Sequence, residues 1–523
     1  MAHDPEKIPA STGDDGVGEA IRGLMAGRVS RRAFIQRASA LGLSGGAISA
    51  ILAACAPGAA TNAPANSAAA TASAAGSAAA SASTAPSESA AASSASGYDP
   101  MKYAGTKLGI LMTGDENDHR ALGEKLGQLK DETGIELEIT SPALGALIEK
   151  TLQNLKADQS EFELINYLGF LTTQQVGGGY FEQLNAYLDD PAETDPAWDF
   201  ADFAESNVKN VGIYDLANKK LGEGSDLYGI PALHSGSVVY FYRKDLFDAA
   251  DLQPAKTWDE FKAAAEKLNT GDVAGCSFIG ANDFSLATVD WYTRFITTGG
   301  QLMSGSPATK DFKPNLNSPE AVGALQMLID LLPFAPENVT TYGFAENVDA
   351  FSTGKIAQMI FWSTIAGPVF NKENSQVADV TDVTPVPAAA GQTSRAILGG
   401  WGTGIPKNAD PAKKPAAWRA LQWITRKEMN KYFVDAYQID ASRDSTYVDP
   451  ELVSKFPYLP VAGEANANAQ PIETTILDDF FAMNDVMNVE FNKALIGGQD
   501  AKTACANVQT QWEAMLRKAG ALA

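Results

Sequence analysis

The sequence is poor in histidine, a common metal ligand, and in cysteine, the residue that forms disulfides, with 3 of each among 523 residues. After residue 54 only His119 and His234 remain as histidines, so a multi-histidine metal site is excluded and we expect no metal ion. Cys276 and Cys505 could pair in an oxidising compartment, but a sequence gives no distance between them. The disulfide therefore stays an open alternative.

Basic residues are also in the minority, with 40 Lys and Arg against 63 Asp and Glu and a net charge of −23. A strongly acidic chain repels the phosphates of nucleic acids and the headgroups of anionic membranes. We therefore expect no nucleic-acid partner. The balance suits a soluble protein in an extracytoplasmic space.

The first 54 residues follow the pattern of an export signal. Arg31 and Arg32 form a basic pair with an apolar residue two positions on, as twin-arginine signals do. The next residues, 38–54, are uncharged but too few and too weakly apolar for a stable membrane helix. They end at Cys55 after small residues, which resembles the lipobox of bacterial lipoproteins. We predict a twin-arginine lipoprotein signal peptide over 1–54 and a diacylglycerol on Cys55; a short amphipathic helix or a buried cysteine is the alternative.

Residues 55–97 are predicted to be a lipid-anchored linker. Of the 42 residues from Ala56 to Gly97, 20 are Ala and 10 are Ser, which supplies no apolar bulk for a core. A flexible chain of this length spans roughly 35 Å on average. We expect a protein held at the outer face of the cell membrane through the lipid on Cys55 alone.

The remaining chain, 98–523, is too long for one core and suits two lobes of similar size. Residues 107–113 and 135–140 are apolar, strand-like segments, and 120–132 between them has leucines at helical spacing. This strand, helix, strand order predicts a parallel sheet with helical crossovers, in which ligands bind beyond the strand ends. Thr257 and Glu260 have the spacing of a capping box, which predicts a helix start.

Patterns typical of enzymes are weak. A nucleophile-elbow pattern at 42–46 lies in the predicted signal peptide. Gly354 and Lys355 lack the neighbours of a phosphate loop, and Gly400, Gly402 and Gly404 lack the spacing of a dinucleotide site. We expect no cofactor and no catalytic residue. A secreted hydrolase that uses two carboxylates remains the alternative from another class.

Several segments, taken in order, resemble the family 1 extracellular solute-binding proteins, the sugar-binding proteins of ABC importers that include maltose-binding protein. The resemblance spans nearly all of 98–523 and is carried by these segments: Gly114–Asp115, Tyr228–Pro231, Tyr242–Phe247, Thr257–Glu260, Gly354–Met359, Gly399–Gly402, and Gly497 before a helix that ends Trp512–Leu516.

The resemblance implies an α/β, periplasmic-binding-protein-like fold of two discontinuous lobes around a cleft, joined by a three-segment hinge. Lobe 1 would comprise 98–232 and 393–437, and lobe 2 would comprise 236–388 and 444–523. The crossings would fall near 230–235, 383–396 and 437–443. Such a protein would close on a carbohydrate (a mono- or oligosaccharide or a polyol) and, as a monomer, deliver it to the membrane permease.

A sugar-like ligand needs fixed polar groups and flat aromatic faces. On this basis and from the resemblance, we expect ligand contacts from strand ends and crossings, at Asp115, Glu116, Tyr167, His234, Asp290, Trp291, Trp362, Ser363, Trp401 and Arg443. Each also has a plain structural interpretation, such as a helix-terminal acid, a core aromatic or an ion pair between the lobes. An acidic cleft with aromatic groups could also bind a cation such as a polyamine.

Overall fold

The computed structural model of the chain describes residues 97–114, 117–233, 235–283, 285–471 and 480–523. The predicted signal peptide with Arg31 and Arg32, the lipidation site Cys55, and the linker up to residue 96 lie outside the described residues. In the described ranges, no helix has the length and apolar character needed to cross a membrane.

Strands and helices alternate along most of the chain. The strands are β1 Lys107–Leu111, β2 Glu136–Thr140, β3 Leu164–Leu168, β4 Tyr214–Asp215, β5 Lys220–Leu221, β6 Ile230–Pro231, β7 Val238–Arg243, β8 Met303–Ser304, β9 Lys313–Pro314, β10 Gln358–Trp362, β11 Thr381–Thr384 and β12 Trp401–Gly404. The helices up to residue 300 are α1 Asp118–Gly123, α2 Leu126–Thr133, α3 Leu144–Lys156, α4 Thr172–Gln175, α5 Asn185–Leu188, α6 Glu205–Val211, α7 Lys244–Ala249, α8 Trp258–Leu268 and α9 Tyr292–Thr297. Those that follow are α10 Pro319–Leu331, α11 Phe344–Ser352, α12 Ala366–Phe370, α13 Lys414–Ile424, α14 Lys427–Tyr437, α15 Asp444–Tyr447, α16 Pro450–Lys455, α17 Leu459–Ala467, α18 Phe480–Leu495 and α19 Ala501–Lys518.

The first lobe is built on a five-stranded sheet in the order β2-β1-β3-β12-β6. β1 is parallel to β2, as the strand, helix, strand pattern predicts, and it is also parallel to β3. β12 returns from the second lobe and runs antiparallel to β3 and β6. Apolar side chains cover both faces of this sheet, and they form two separate clusters.

The predicted helix over 120–132 is two helices, α1 and α2, with a break at Glu124 and Lys125. Gly123 and Gly127 flank the break. Glycine loses more backbone freedom than any other residue when it is fixed in a helix, so two glycines four residues apart favour an interruption there.

The second lobe is built on a three-stranded sheet in the order β10-β7-β11, in which both outer strands run antiparallel to β7. Isolated parallel bridges, such as Ser277 to Met359, extend the β10 edge. Helix α8 begins with the predicted capping box, since Thr257 Oγ1 accepts from Glu260 N and the Glu260 carboxylate accepts from Thr257 N. Cys276 and Cys505 lie in this lobe's core as free, buried thiols, and burial raises the pKa of each to about 12.

We name three segments near the expected hinge: crossing 1 (232–233 and 235–237), crossing 2 (396–401) and crossing 3 (439–443). Crossing 2 is taken later in the chain than the expected 383–396, because the pairing with crossing 1 includes Leu398 opposite Ser237. That the three form the hinge stays a prediction. Crossings 1 and 2 are antiparallel and joined by main-chain hydrogen bonds, from Ala232 N to Trp401 O (3.1 Å) and from Gly399 N to Gly236 O (2.7 Å). Crossing 3 is fixed to the first lobe by Ala204 N, which donates to Ser442 O (3.2 Å). The lobe boundaries expected from the sequence stay predictions.

Candidate functional site

The two lobes meet beside crossings 1 and 2 at two aromatic side chains, Phe170 and Trp362. We name this pair, together with the residues that hold it against the crossings, the cleft base. Trp362 is the last residue of β10 in the second lobe, and Phe170 lies just after β3 of the first lobe. Their ring centroids are 6.2 Å apart and the rings are tilted by 56°. Phe170 packs with the apolar cluster of the second lobe, so it spans the gap between the lobes. The pair therefore brings the ends of β3 and β10 together.

Gly399 in crossing 2 lets the Trp362 indole approach the main chain more closely than a side chain at this position would. A Cβ built on Gly399 would lie 3.0 Å from Trp362 Cζ3, and one on Gly236 would lie 3.9 Å from Cε3. Carbon atoms pack best at about 3.5–4.0 Å, so a side chain at position 399 would push the indole away. The indole, 8 % exposed, is thus held against the crossings on one side.

Ser363 joins crossings 1 and 3. Its Oγ donates to Asp440 Oδ2 (2.5 Å) and accepts from Ser237 N (3.2 Å). All three residues are buried. A hydrogen bond to a carboxylate is stronger than one between neutral groups, so this arrangement fixes the chain that follows Trp362 relative to the hinge.

Helix α6 of the first lobe contributes two amides to the same region. Asn207 Nδ2 donates to Ser235 Oγ in crossing 1, and Asn210 Nδ2 donates to Gly399 O in crossing 2 (2.9 Å). The sequence interpretation missed both residues, together with Phe170. A usable signal existed for the amides, because two polar residues three positions apart occupy one face of a helix.

Tyr167 lies in the core of the first lobe and not at the cleft base. It is fully buried, its hydroxyl donates to Val211 O, and its ring centroid is 5.0 Å from that of Phe181. Successive strand residues point to opposite faces, and the inward position of Tyr167 fixes its ring among core side chains. These contacts favour its structural interpretation over the ligand contact expected from the sequence.

Asp290 and Trp291, which the sequence led us to expect at the ligand site, are both fully buried in the core of the second lobe. Asp290 Oδ1 pairs with Arg294 Nη1 at 3.0 Å, and the two side chains are 0 % and 1 % exposed. Asp290 Oδ2 accepts from Ile279 N (2.8 Å). Trp291 stacks on Phe295 with centroids 4.8 Å apart. Burial raises the pKa of Asp290 to about 6 although the Arg294 charge opposes the shift.

Trp401 and Arg443 also make contacts inside the first lobe. Trp401 is buried, pairs with Leu168 across the sheet and packs in the same cluster as Tyr167. Arg443 is fully buried, and its guanidinium pairs with Asp202 at 3.2 Å. It also donates to the main-chain oxygens of Thr425, Asp199 and Trp198. Arg443 therefore ties crossing 3 to the first lobe and does not reach the cleft base.

Of the predicted ligand residues, the structure brings only Trp362 and Ser363 together at the cleft base. Asp115, Glu116 and His234 lie outside the described residues. Across the described ranges, no cluster of His, Cys, Asp and Glu has the composition to hold a metal ion. The cleft base thus combines an aromatic pair with buried hydroxyls and amides whose hydrogen bonds hold the lobes and the crossings together.

Comparison with known proteins matches residues 114–431 to the family described as bacterial extracellular solute-binding protein. The "Probable ABC transporter-binding protein" of Deinococcus radiodurans is 29% identical over 48% of this chain and 60% of its own length. The mannitol-binding protein of Pseudomonas aeruginosa is 25% identical over 56% of this chain and 70% of its own. The chain thus spans less than two thirds of the first of these relatives.

A solved structure has the same fold. The ABC transporter solute-binding protein of Agrobacterium radiobacter K84, in complex with ribitol, superimposes with a TM-score of 0.66 at 25% sequence identity. The match covers 78% of this chain and 98% of the other. The two-lobed α/β architecture expected from the sequence is therefore confirmed.

Proposed function

The chain belongs to the bacterial extracellular solute-binding proteins, and from this premise we propose that it captures a small polyol or sugar between its lobes and delivers it to the permease of an ABC importer. The observation that carries the proposal is the pair of aromatic residues, Phe170 and Trp362, that meet from opposite lobes at the cleft base. A solute that contacts Phe170 of the first lobe and Trp362 of the second stabilises the closed arrangement of the lobes, which the permease can recognise.

Neutral solutes are favoured over cations. One carboxylate and indole expected at the ligand site, Asp290 and Trp291, lie in the core, where Arg294 already neutralises the acid and leaves it unavailable to a cation. Asp440, at the hinge, accepts a hydrogen bond from Ser363. The mannitol-binding relative and the ribitol complex both concern neutral polyols. Membership in a family of binding proteins sets aside the hydrolase alternative.

The mature protein is proposed to work as a monomer tethered to the outer face of the membrane. Support comes from the sequence pattern of paired Arg31 and Arg32, an apolar run, and Cys55 after small residues. A tether of 42 residues keeps the binding domain near the permease at high local concentration, while leaving it free to turn. No contact with the bilayer beyond the lipid is proposed.

A thermal-shift screen tests the proposal. The mature chain with Cys55→Ser, which removes the lipid, is heated with mannitol, ribitol, glucose, maltose and spermidine. A ligand at one hundred times its Kd stabilises a protein by about 2.7 kcal/mol, so a true solute raises the melting temperature clearly. A shift with spermidine alone, lost on adding salt, would favour the cation alternative, and the appearance of cleaved products would favour a hydrolase.

The position of the site is tested by Trp362→Ala, which we expect to abolish the shift caused by the best solute. Phe344→Ala is the matched control, because Phe344 is 40% exposed and packs on Phe361, which points to the opposite face of β10 from Trp362. Phe170→Ala is expected to weaken binding as well. An unchanged shift in Trp362→Ala would place the solute elsewhere.

A further inference from the structure

The ribbon formed by crossings 1 and 2 is interrupted where it passes from one lobe to the other. In the sheet of the first lobe Pro231 lies opposite Gly402, and beside the second lobe Ser237 lies opposite Leu398. The chain therefore advances six positions on one side, from Pro231 to Ser237, and four on the other, from Leu398 to Gly402. A regular antiparallel ladder keeps these counts equal, so crossing 1 carries two extra residues, as a bulge does.

Two residues at this interruption have left-handed backbone, and we name the pair the ribbon break. Leu233 in crossing 1 has a φ of 73°, and Gly400 in crossing 2 has a φ of 86°. Glycine adopts such angles freely, but in any other residue the Cβ crowds the carbonyl oxygen that follows. Among the six non-glycine residues with positive φ in the described ranges, Leu233 is the one with an apolar side chain. Leu233 is therefore strained.

The first lobe holds Leu233 in this conformation. Its side chain is 2% exposed and packs in the same core cluster as Ile230 and Ile405. One position earlier, Ala232 N donates to Trp401 O (3.1 Å), which fixes the main chain to the sheet of that lobe. A strained angle persists only where the surrounding structure determines it in several ways, and both the side chain and the main chain do so here.

The chain beyond the ribbon break is fixed to the second lobe instead. Ser363 N donates to Ser237 O (2.8 Å), and Ser363 Oγ accepts from Ser237 N (3.2 Å). Gly399 N donates to Gly236 O (2.7 Å) and keeps the two crossings paired. The paired segments on either side of the break thus belong to different lobes, so a rotation between the lobes must change the torsions that lie between them.

The lobes are in contact in this arrangement. Phe170 packs on Trp362, and helix α6 of the first lobe packs against α17, which lies in the core cluster of the second. Two side-chain amides of α6 also donate to crossings 1 and 2. These contacts favour the arrangement with the lobes together, whereas the left-handed backbone of Leu233 opposes it.

From this geometry we infer that the ribbon break is the pivot of the hinge and that its left-handed backbone sets the balance between open and closed lobes. On opening, Leu233 rotates to the negative φ that a leucine prefers. On closing it is forced back, and the strain offsets part of the free energy that the solute supplies. The inference rests on the proposed function, but it places a determinant of affinity in the first-lobe core, away from the aromatic pair.

Leu233→Gly and Leu233→Ala, which differ only by the Cβ, test the pivot in the mature chain with Cys55→Ser. Both variants remove the same buried branched group, but only alanine keeps the unfavourable contact at positive φ. We expect Leu233→Gly to bind the best solute of the thermal-shift screen about tenfold more tightly than Leu233→Ala, because a left-handed angle costs a non-glycine residue roughly that factor in population. Titration calorimetry measures both affinities.

The balance between the lobes is also measured without solute. Spin labels are placed at Lys156→Cys on the first lobe and Lys372→Cys on the second, both of which are exposed. Cys276 and Cys505 are buried and stay unlabelled. Double electron–electron resonance then gives the distribution of distances between the labels. We expect Leu233→Gly to show more of the distance found in the structure than Leu233→Ala does.

Gly400→Ala tests the opposite crossing with the opposite sign and removes no buried side chain, so it decides the outcome if the Leu233 variants do not fold. Its Cβ makes the positive φ costly, and the affinity is expected to fall about tenfold. Gly271→Ala is the matched control, since Gly271 has a φ of 88° in the second lobe and an added Cβ would meet no atom within 4 Å. It should lower the melting temperature and leave the affinity and the distances unchanged.

Two results would overturn the pivot. The first is that Leu233→Gly and Leu233→Ala differ in thermal stability but share one affinity and one distance distribution, because the left-handed angle would then be common to open and closed lobes. The second is that Gly400→Ala behaves like Gly271→Ala. If no solute of the screen binds and the distances still shift as expected, the pivot stands and the proposed function fails.

Discussion

The buried ion pair of Asp290 and Arg294 gives a sharp prediction about the core of the second lobe. Asp290→Ala leaves the Arg294 charge in a site where both side chains are essentially unexposed. Arg294 stays 4.8 Å from the centre of a Trp258 ring and keeps one hydrogen bond to the main chain, Nη1 to Asp290 O (2.7 Å). Its Nε and Nη2 already make no hydrogen bond to any described residue.

The expected cost of Asp290→Ala is about 3–5 kcal/mol, the usual penalty for leaving one member of a buried pair alone. The variant also deprives Ile279 N of its acceptor, Asp290 Oδ2, which adds to the cost. By contrast, replacing both members, with Asp290→Leu and Arg294→Met together, removes both buried charges. That double variant also leaves Ile279 N without its acceptor, so it is expected to be close to the natural chain in stability and clearly more stable than Asp290→Ala, because buried ion pairs rarely outperform well-packed apolar residues.

Urea unfolding followed by tryptophan fluorescence measures these differences. Asp330→Ala is the matched control, because Asp330 pairs with Lys262 at 3.1 Å on the same lobe but both side chains are more than 40% exposed. Its loss is expected to cost no more than about 1 kcal/mol. The reasoning is refuted if Asp290→Ala costs no more than Asp330→Ala, or if the double variant is as unstable as the single one. A loss of solute binding at unchanged stability would instead make Asp290 a ligand residue.

Three further predictions concern the first lobe and the hinge. Gly399→Ala is expected to cost about 1–3 kcal/mol in thermal unfolding, because its Cβ would lie 3.0 Å from the Trp362 indole, whereas Gly145→Ala, in a helix with no atom within 4 Å, should not destabilise the protein. Tyr167→Phe is expected to cost about 1 kcal/mol through its lost main-chain hydrogen bond, with solute affinity unchanged in calorimetry. The depressed pKa of Glu132 stabilises the fold above about pH 4.5, and this stabilisation is lost as pH falls toward about 2, so Glu132→Gln should flatten the acid limb of a denaturation series.

The fold was predictable from the sequence because its signals are local and ordered. The strand, helix, strand order over 107–140 predicted the parallel β1 and β2, and the capping box at Thr257 and Glu260 predicted the start of α8. The pairing of β12 with β3 joins residues more than 200 positions apart, and no local pattern indicates that it is antiparallel.

The site was predictable only in part. Trp362 ends the apolar strand β10 and Ser363 follows it, as the sequence indicates, while their contact with a ligand stays a prediction. At β3 the same reasoning selected Tyr167, but the aromatic residue that reaches the other lobe is Phe170. The reason is that the chain turns after Leu168 into one turn of 3-10 helix, Gly169–Leu171, and that turn redirects its side chains.

A polar residue is also hard to assign to a ligand site from the sequence when its ion-pair partner is not recognised. Whether the partner can be recognised depends on where it lies in the chain. The partner of Asp290 is Arg294, four positions on in the same helical segment, so the sequence held a signal for an internal ion pair. The acid that pairs with Arg443 is Asp202, which no local pattern connects to it. An unrecognised partner makes a structural residue resemble a ligand residue.

The hydrogen bonds at the cleft base differ from these internal pairs in the elements that they join. Asp290 and Arg294 belong to one helical segment, so the geometry of their pair is independent of the hinge. Ser363 and Asp440, and Asn210 and Gly399, join a lobe to a crossing, so rotation about the hinge strains or relieves them. Because Ser363 directly follows Trp362, a solute that displaces the indole also moves one of these hydrogen bonds. With the solute placed at Trp362 as proposed, its contact would be coupled to the hinge geometry through the adjacent Ser363, and Ser363→Ala should loosen that coupling without removing the aromatic face.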